Sequence, residues 1–443
     1  MKMSKKIGLG LLVILGLLLV LPFLIPMDTY VRQAERLASE KLGVPVTIAK
    51  ANVFFLPNLR LSVSDVVVGK FQELTVRKLI LLPTLTSLFS KQRIVDIQLE
   101  QVVAKKSVLR IYEELSQLKS NEGEPSPVII RNLSIQGLML IWPDVSVPTT
   151  NIELSLEDNR LTVAKLDAVD GKLSAVLSPI EGGQHIILKA KHWQLPIKTP
   201  LELTEGDFDM TLKGNKLDVP KFTMKLYDGV VTGSSSLSWG KAWRTSGQFA
   251  INSLSIETPS RLANPNTYMS GRLDGHGNFA SQAKEASQLA DHIQVTFPFA
   301  VKEGVLHGLD LVKAASLIVK QDAAGGETQF DTFSGQLAVT GQQYQLSNMD
   351  VSSGLLSANG YVTISPQKKL TGTVEVELKK SVGLVAVPLN VSGTLDHPVV
   401  LPSNAALAGA AVGTAVLGPG VGTSLGIKAS KGLDKLKGLF GGD

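Results

Sequence analysis

The chain contains no cysteine. Disulfides, thiol nucleophiles, thiolate zinc sites and iron–sulfur clusters are therefore excluded together. Aromatic residues make up only 5% of it, so a thick core built on large rings is short of material. No P-loop and no H-E-x-x-H occurs. The six histidines (185, 192, 276, 292, 307, 397) include no pair at the i, i+4 spacing of a helical metal site. These gaps point to a non-enzymatic protein without metal or other cofactor. The net charge of +5 is modest for 443 residues and gives no reason to expect nucleic acid as a partner.

Two sequence patterns imitate catalytic motifs. GTSLG (422–426) matches G-x-S-x-G, but only 17 residues follow Gly426 and the last histidine is His397, so no triad can be completed downstream. GHGNFA (275–280) loosely fits a dinucleotide fingerprint. It lies in strand-like text rather than in a βαβ unit, and reads as a glycine-rich hairpin turn.

One hydrophobic run stands out. After the basic MKMSKK, residues Ile7 to Ile25 carry no charge. As a helix these 19 residues span about 28 Å, close to the bilayer core of about 30 Å. Ile7, Leu11, Ile14, Leu18, Leu21 and Ile25 are the anchor residues. A cleaved signal peptide has a shorter apolar region of about 7–15 residues and then small residues at a cleavage site, whereas PMDTYVRQAE follows here. The pattern thus favours a retained single-pass anchor with its lysines on the cytoplasmic side and the bulk of the chain across the membrane.

MDTYVRQAERLASEKLG reads as a short amphipathic helix started by Asp28 and ended by Gly43. Further helices are expected near 83–92, over 111–120, 281–294 and 308–321. Elsewhere the text alternates apolar and polar residues, with turn signals every 8–14 residues, including Gly214–Asn215, Gly341, Gly354 and Gly360. That spacing predicts antiparallel meanders, roughly 25–30 strands in all at about 4.8 Å each. The expected segments are 1–26 (basic start and anchor), 27–125 (helix then strands), 126–280 (middle β region), 281–402 (C-terminal β domain) and 403–443, where an uncharged Gly/Ala-rich stretch precedes a basic amphipathic tail. Gly409/Gly413 and Gly418/Gly422 in that stretch have the small-x-x-x-small spacing of packed membrane helices, though Pro419 interrupts it.

Alternating strands present apolar faces, and few helices are available to cover them. A sandwich, a small barrel or a long sheet curled into an apolar trough would each satisfy the pattern. Abundant Val, Leu, Ile and Ala with few aromatics favour the trough. Phe208, Met210, Leu212, Phe222, Met224, Leu226, Leu337, Val339, Val362, Ile364, Val374, Val376 and Leu378 are the candidate groove residues.

The N-terminal text resembles the AsmA family of bacterial envelope proteins: anchor, PMDTYVRQAERLASEKLGVPVTI, FFLPNLRLSVSDVVVG and LTVRKLILLPTLTSLFSKQRIVDIQLE. GVLHGLDLVKAA (304–315), DTFSGQLAVTGQQYQLSNMDVSSGLLSANGYVTI and VPLNVSGTLDHPVVLP (387–402) resemble that family's carboxy-terminal domain. The two stretches cover about half the chain, and their motifs are structural rather than catalytic. The resemblance implies an inner-membrane-anchored periplasmic protein of Gram-negative bacteria, related to bridge-like lipid transfer proteins. Its role would lie in outer-membrane lipid homeostasis, with phospholipids and the inner membrane as partners. The family's link to outer-membrane protein assembly leaves a second implied role, as an assembly factor contacting outer-membrane or secretion proteins.

Overall fold

The computed structural model describes residues 27–428 apart from 86, 88, 89, 91, 109, 110, 112–127, 143–146, 196–200, 317–323, 380–385 and 418–426. The six anchor residues, the expected 111–120 helix beyond Ile111, GTSLG and the basic tail beyond Lys428 lie outside these residues. Among the described residues no helix is long and apolar enough to cross a membrane.

The fold is mainly β, with few helices, and divides into two compact units, Met1–Leu212 and Lys213–Asp443. Among the described residues, the first element of unit 1 is α1 (Met27–Leu42), which ends at Gly43, whose φ of 68° suits glycine. Ten strands follow: β1 (Val46–Phe54), β2 (Arg60–Val68), β3 (Leu74–Pro83), β4 (Arg93–Lys105), β5 (Val128–Ile141), β6 (Thr150–Glu157), β7 (Arg160–Ala168), β8 (Leu173–Ile180), β9 (Gly183–Gln194) and β10 (Glu202–Lys213). Each pairs with the next, and all pairs are antiparallel except β4–β5. That parallel pair departs from the expected meander. A parallel pair needs a crossover of a dozen residues or more, and residues 106–127 provide one.

Unit 2 holds β11 (Lys216–Leu226), β12 (Gly229–Ser238), β13 (Trp243–Ser255), α2 (Glu257–Ala263), β14 (Tyr268–Ala283), β15 (Gln294–Leu309), α3 (Leu311–Ala315), β16 (Ala324–Thr340), β17 (Gln343–Ser352), β18 (Leu356–Ile364), β19 (Leu370–Leu378), β20 (Val387–Gly393), β21 (Pro398–Pro402) and α4 (Asn404–Leu417). Its eleven strands pair in sequence order, all antiparallel. The total of 21 strands among the described residues falls below the expected 25–30 because several are long; β14 and β15 have 16 residues each.

Local chemistry explains several departures from the sequence reading. Residues 281–294 form no α-helix: β14 runs on to Ala283, two short 3-10 turns follow, and β15 starts at Gln294. Ser281 Oγ donates to Leu289 O at 2.6 Å and ties this link down. Of the expected 308–321 helix, α3 occupies only Leu311–Ala315. Gly360 lies within β18, not in a turn. GHGNFA sits in the interior of β14 rather than in a hairpin turn. Its glycines make room: a Cβ on Gly277 would overlap Phe297 Cβ and the Thr296 carbonyl. The β11–β12 turn, Tyr227–Asp228, has φ of 46° and 56°; Asp tolerates this left-handed region, and the Asp228–Gly229 pair is the turn signal in the sequence there, whereas Tyr227 is not a residue type that favours it.

Candidate functional site: an apolar sheet face

The register of unit 1 aligns apolar side chains from strand to strand. One row runs Ala51, Val63, Leu79, Leu99, Ile135, Ile152, Leu166, Ala175, Leu188, Phe208. Two residues along each strand, a second row runs Val53, Leu61, Leu81, Ile97, Leu133, Leu154, Ala164, Leu177, Ile186, Met210. Paired residues point to the same side of a sheet, so both rows lie on one face and cross all ten strands without a polar interruption. The adjoining row on the other face is largely polar: Asn52, Ser62, Ile80, Gln98, Ser134, Glu153, Lys165, Val176, Ile187, Asp209. Ion pairs stud that face, among them Lys78–Glu100 at 3.0 Å and His185 Nε2–Asp209 at 2.7 Å.

Of the twenty apolar row residues, only Ala51, Val63 and Ala164 are buried; the others keep part of their surface exposed. Unit 1 has a separate buried cluster, where Val46, Val68 and Ile111 pack with Ala38 and Leu42 of α1. Nine strand spacings of about 4.8 Å give the rows a length of about 43 Å. One leaflet of a bilayer core is about 15 Å deep, so the rows exceed the length of a single acyl chain more than twofold.

Unit 2 treats its apolar face differently. Phe222, Gly233, Phe249 and Gly277 are register neighbours, as are Phe297, Leu337, Leu346, Val362, Gly372, Val391 and Val400. Ring contacts link Phe249–Phe297 (5.6 Å), Phe297–Phe299 (6.1 Å), Phe299–Phe333 (5.1 Å) and Phe333–Phe330 (6.0 Å). Burial deepens along that series: Phe249 and Phe297 are half-buried, while Phe299, Phe333 and Phe330 are buried. Toward the C-terminus the sheet curls around α3. Leu311, Ala314 and Ala315 pack there with Leu356, Val376, Leu389, Val400 and Ala406 of α4. Thr328 holds α3 in place, accepting from Leu311 N at 2.9 Å and donating to Leu309 O at 2.8 Å.

The candidate residues read from sequence therefore have different surroundings. Phe208 and Met210 end the two rows of unit 1, with Leu212 beside them on β10. Phe222 and Leu226 are buried and Met224 half-buried on β11. Leu337 and Leu378 pack on the C-terminal cluster, while Val339 and Ile364 lie half-buried on β16 and β18. Val362 and Val374 line a cavity beside that cluster. Val376 has no exposed surface: it is enclosed by protein and offers nothing to a lipid. The rows through β1–β9 are not visible in the sequence of any one strand. Each strand shows its own alternation, but only register reveals that ten alternations share one face. Among the described residues no group of three or more His, Asp or Glu side chains is placed to hold a metal ion.

Comparison of the chain with known protein families, with curated proteins and with solved structures finds no match.

Proposed function

We propose that this protein is anchored in the inner membrane of a Gram-negative bacterium. In the periplasm it holds or guides phospholipid acyl chains along an apolar β-sheet face, as the AsmA resemblance implies, and so serves outer-membrane lipid homeostasis. The observation that carries the reading is the pair of unbroken, part-exposed apolar rows across unit 1. Moving about 30 methylenes through water costs on the order of 24 kcal/mol at about 0.8 kcal/mol each. A lined face removes much of that cost without bond chemistry. The alternative, an assembly factor pairing through free strand edges, finds less support at the start of β1, where α1 caps the outer edge at Val46 and Ile48. Glu35 Oε1 accepts from Ile48 N at 2.6 Å and Ser39 Oγ accepts from Val46 N at 2.9 Å.

The test places photocrosslinking residues at Leu154 and Leu188 on the apolar face and at Lys165 and Lys189 on the opposite face. Phospholipid adducts are expected from the first pair only. The double variant Leu154→Glu, Leu188→Glu should fold, since both sites are part-exposed, and should release co-purifying phospholipid. Val376 is unsuited to this test, because a charge buried there would unfold the unit. Equal crosslinking from both faces, or no phospholipid by mass spectrometry of the gently extracted protein, would refute the reading.

A further inference from the structure

A second apolar space lies within unit 2. The curled strands β14–β21 surround a cavity of about 290 Å³. Leu346, Met349, Val362 and Val391 form much of its wall. Leu311 of α3, with Phe333 and Val374, belongs both to the cavity lining and to the buried cluster, so packed protein closes the space on that side. The residues with polar side chains in the lining are Ser260, Thr267, Tyr268 and Thr328; the hydroxyls of Ser260 and Thr328 are already committed to backbone partners, and the Tyr268 ring stacks on His307 at 4.4 Å. Across the rim, the 2% exposed Asn264 ties the end of α2 to the β20–β21 turn. Its Nδ2 donates to Leu395 O, and its Oδ1 accepts from Asn266 N and Thr267 N at 2.9 and 3.3 Å. The phenylalanine series from Phe249 leads toward this space, since Phe330 and Phe333 line it.

These features specify a ligand class. The wall offers no unpaired charge and almost no free hydrogen-bonding capacity, so the occupant is a hydrocarbon. A cavity of about 150 Å³ accepts benzene, so one of twice that size takes roughly a dozen carbons. That is too little for a two-chain lipid and enough for most of one chain. We propose that the C-terminal unit contains a dead-ended pocket for the terminal part of a single acyl chain, whose polar head stays outside the rim by Thr267. This rests on the acyl-chain reading above and adds a separate, length-limited site to it.

The test uses full-length protein in nanodiscs and saturated fatty acids bearing a terminal diazirine, with peptide mapping of the adducts. Labelling of β17 and α3 is expected. Unlabelled fatty acids should compete for that labelling with affinity rising about fourfold per methylene, then levelling off near a dozen carbons, where the pocket is full. Val362→Trp should lower labelling of β17 and α3 about tenfold or more and leave adducts on unit 1 unchanged. Val391→Phe is a smaller filling change and serves if the first variant fails to fold. Labelling confined to unit 1 overturns the pocket and leaves the open-face reading standing. Labelling of the pocket alone does the reverse, and no labelling anywhere sinks both. A competition series that keeps strengthening well beyond a dozen carbons also overturns the dead end.

Discussion

Asp274 shows what single residues contribute to the open parts of this fold. Its carboxylate accepts from Ser253 N at 2.8 Å and from Lys302 Nζ at 2.9 Å. The Ser253 backbone hydrogen bond, and after it the lysine, hold the Asp274 carboxyl below the usual carboxylate range. Ser253 has φ of 52° and sits in the bulge of β13, where the register shifts between Ile251 and Leu254. A carboxyl with a depressed folded pKa stabilises fully above its unfolded value of about 3.9, and loses that contribution as pH falls through the folded pKa. Asp274→Asn should therefore cost under about 1 kcal/mol at pH 7, the pair being part-exposed. The gap from the parent should close on acidification. Urea unfolding in steps from neutral to strongly acid pH checks this, and a gap that stays constant throughout disproves it.

At the scale of elements, α1 guards an edge. By its spacing it is an ordinary amphipathic helix, and Gly43 marks its C-terminal end in the sequence as it does in the fold, whereas Asp28, expected to start the helix, lies within its first described turn. Only the tertiary structure shows Glu35 and Ser39 reaching the free N–H groups of β1. An uncapped edge strand is a template for pairing with another chain. Glu35→Ala with Ser39→Ala should lose about 0.5–1.5 kcal/mol per hydrogen bond and promote self-association. Light scattering over a concentration series would detect the oligomers; a variant that stays monomeric would show that something else guards the edge. Elements that depend on distant partners were less legible. The expected helix over 281–294 gave way to a strand extension held by the Ser281–Leu289 bond, and the GHGNFA glycines proved to be seats for Phe297 rather than a turn.

At the scale of the whole molecule, a sheet with an uncovered apolar face should depend on its cargo for stability. A ligand that binds the folded state at 100 times its Kd stabilises by about 2.7 kcal/mol. Delipidated protein should bind a hydrophobic dye and melt at lower temperature, and added phospholipid should restore the Tm in a concentration-dependent way. A Tm indifferent to phospholipid would count against an exposed lipid face. Residue order alone was enough to specify the strand-rich class, most turns, α1 and the alternation of each strand. These follow from short-range periodicity and turn chemistry, which every strand carries in its own residues. Register, the parallel β4–β5 pair and the choice of which apolar residues are closed off came only with the folded chain, because these are relations between segments far apart in sequence. Alternation alone treats Leu154 and Val376 as equivalents. Tertiary packing separated them, leaving Leu154 part-exposed and enclosing Val376 in the cluster around α3 and α4.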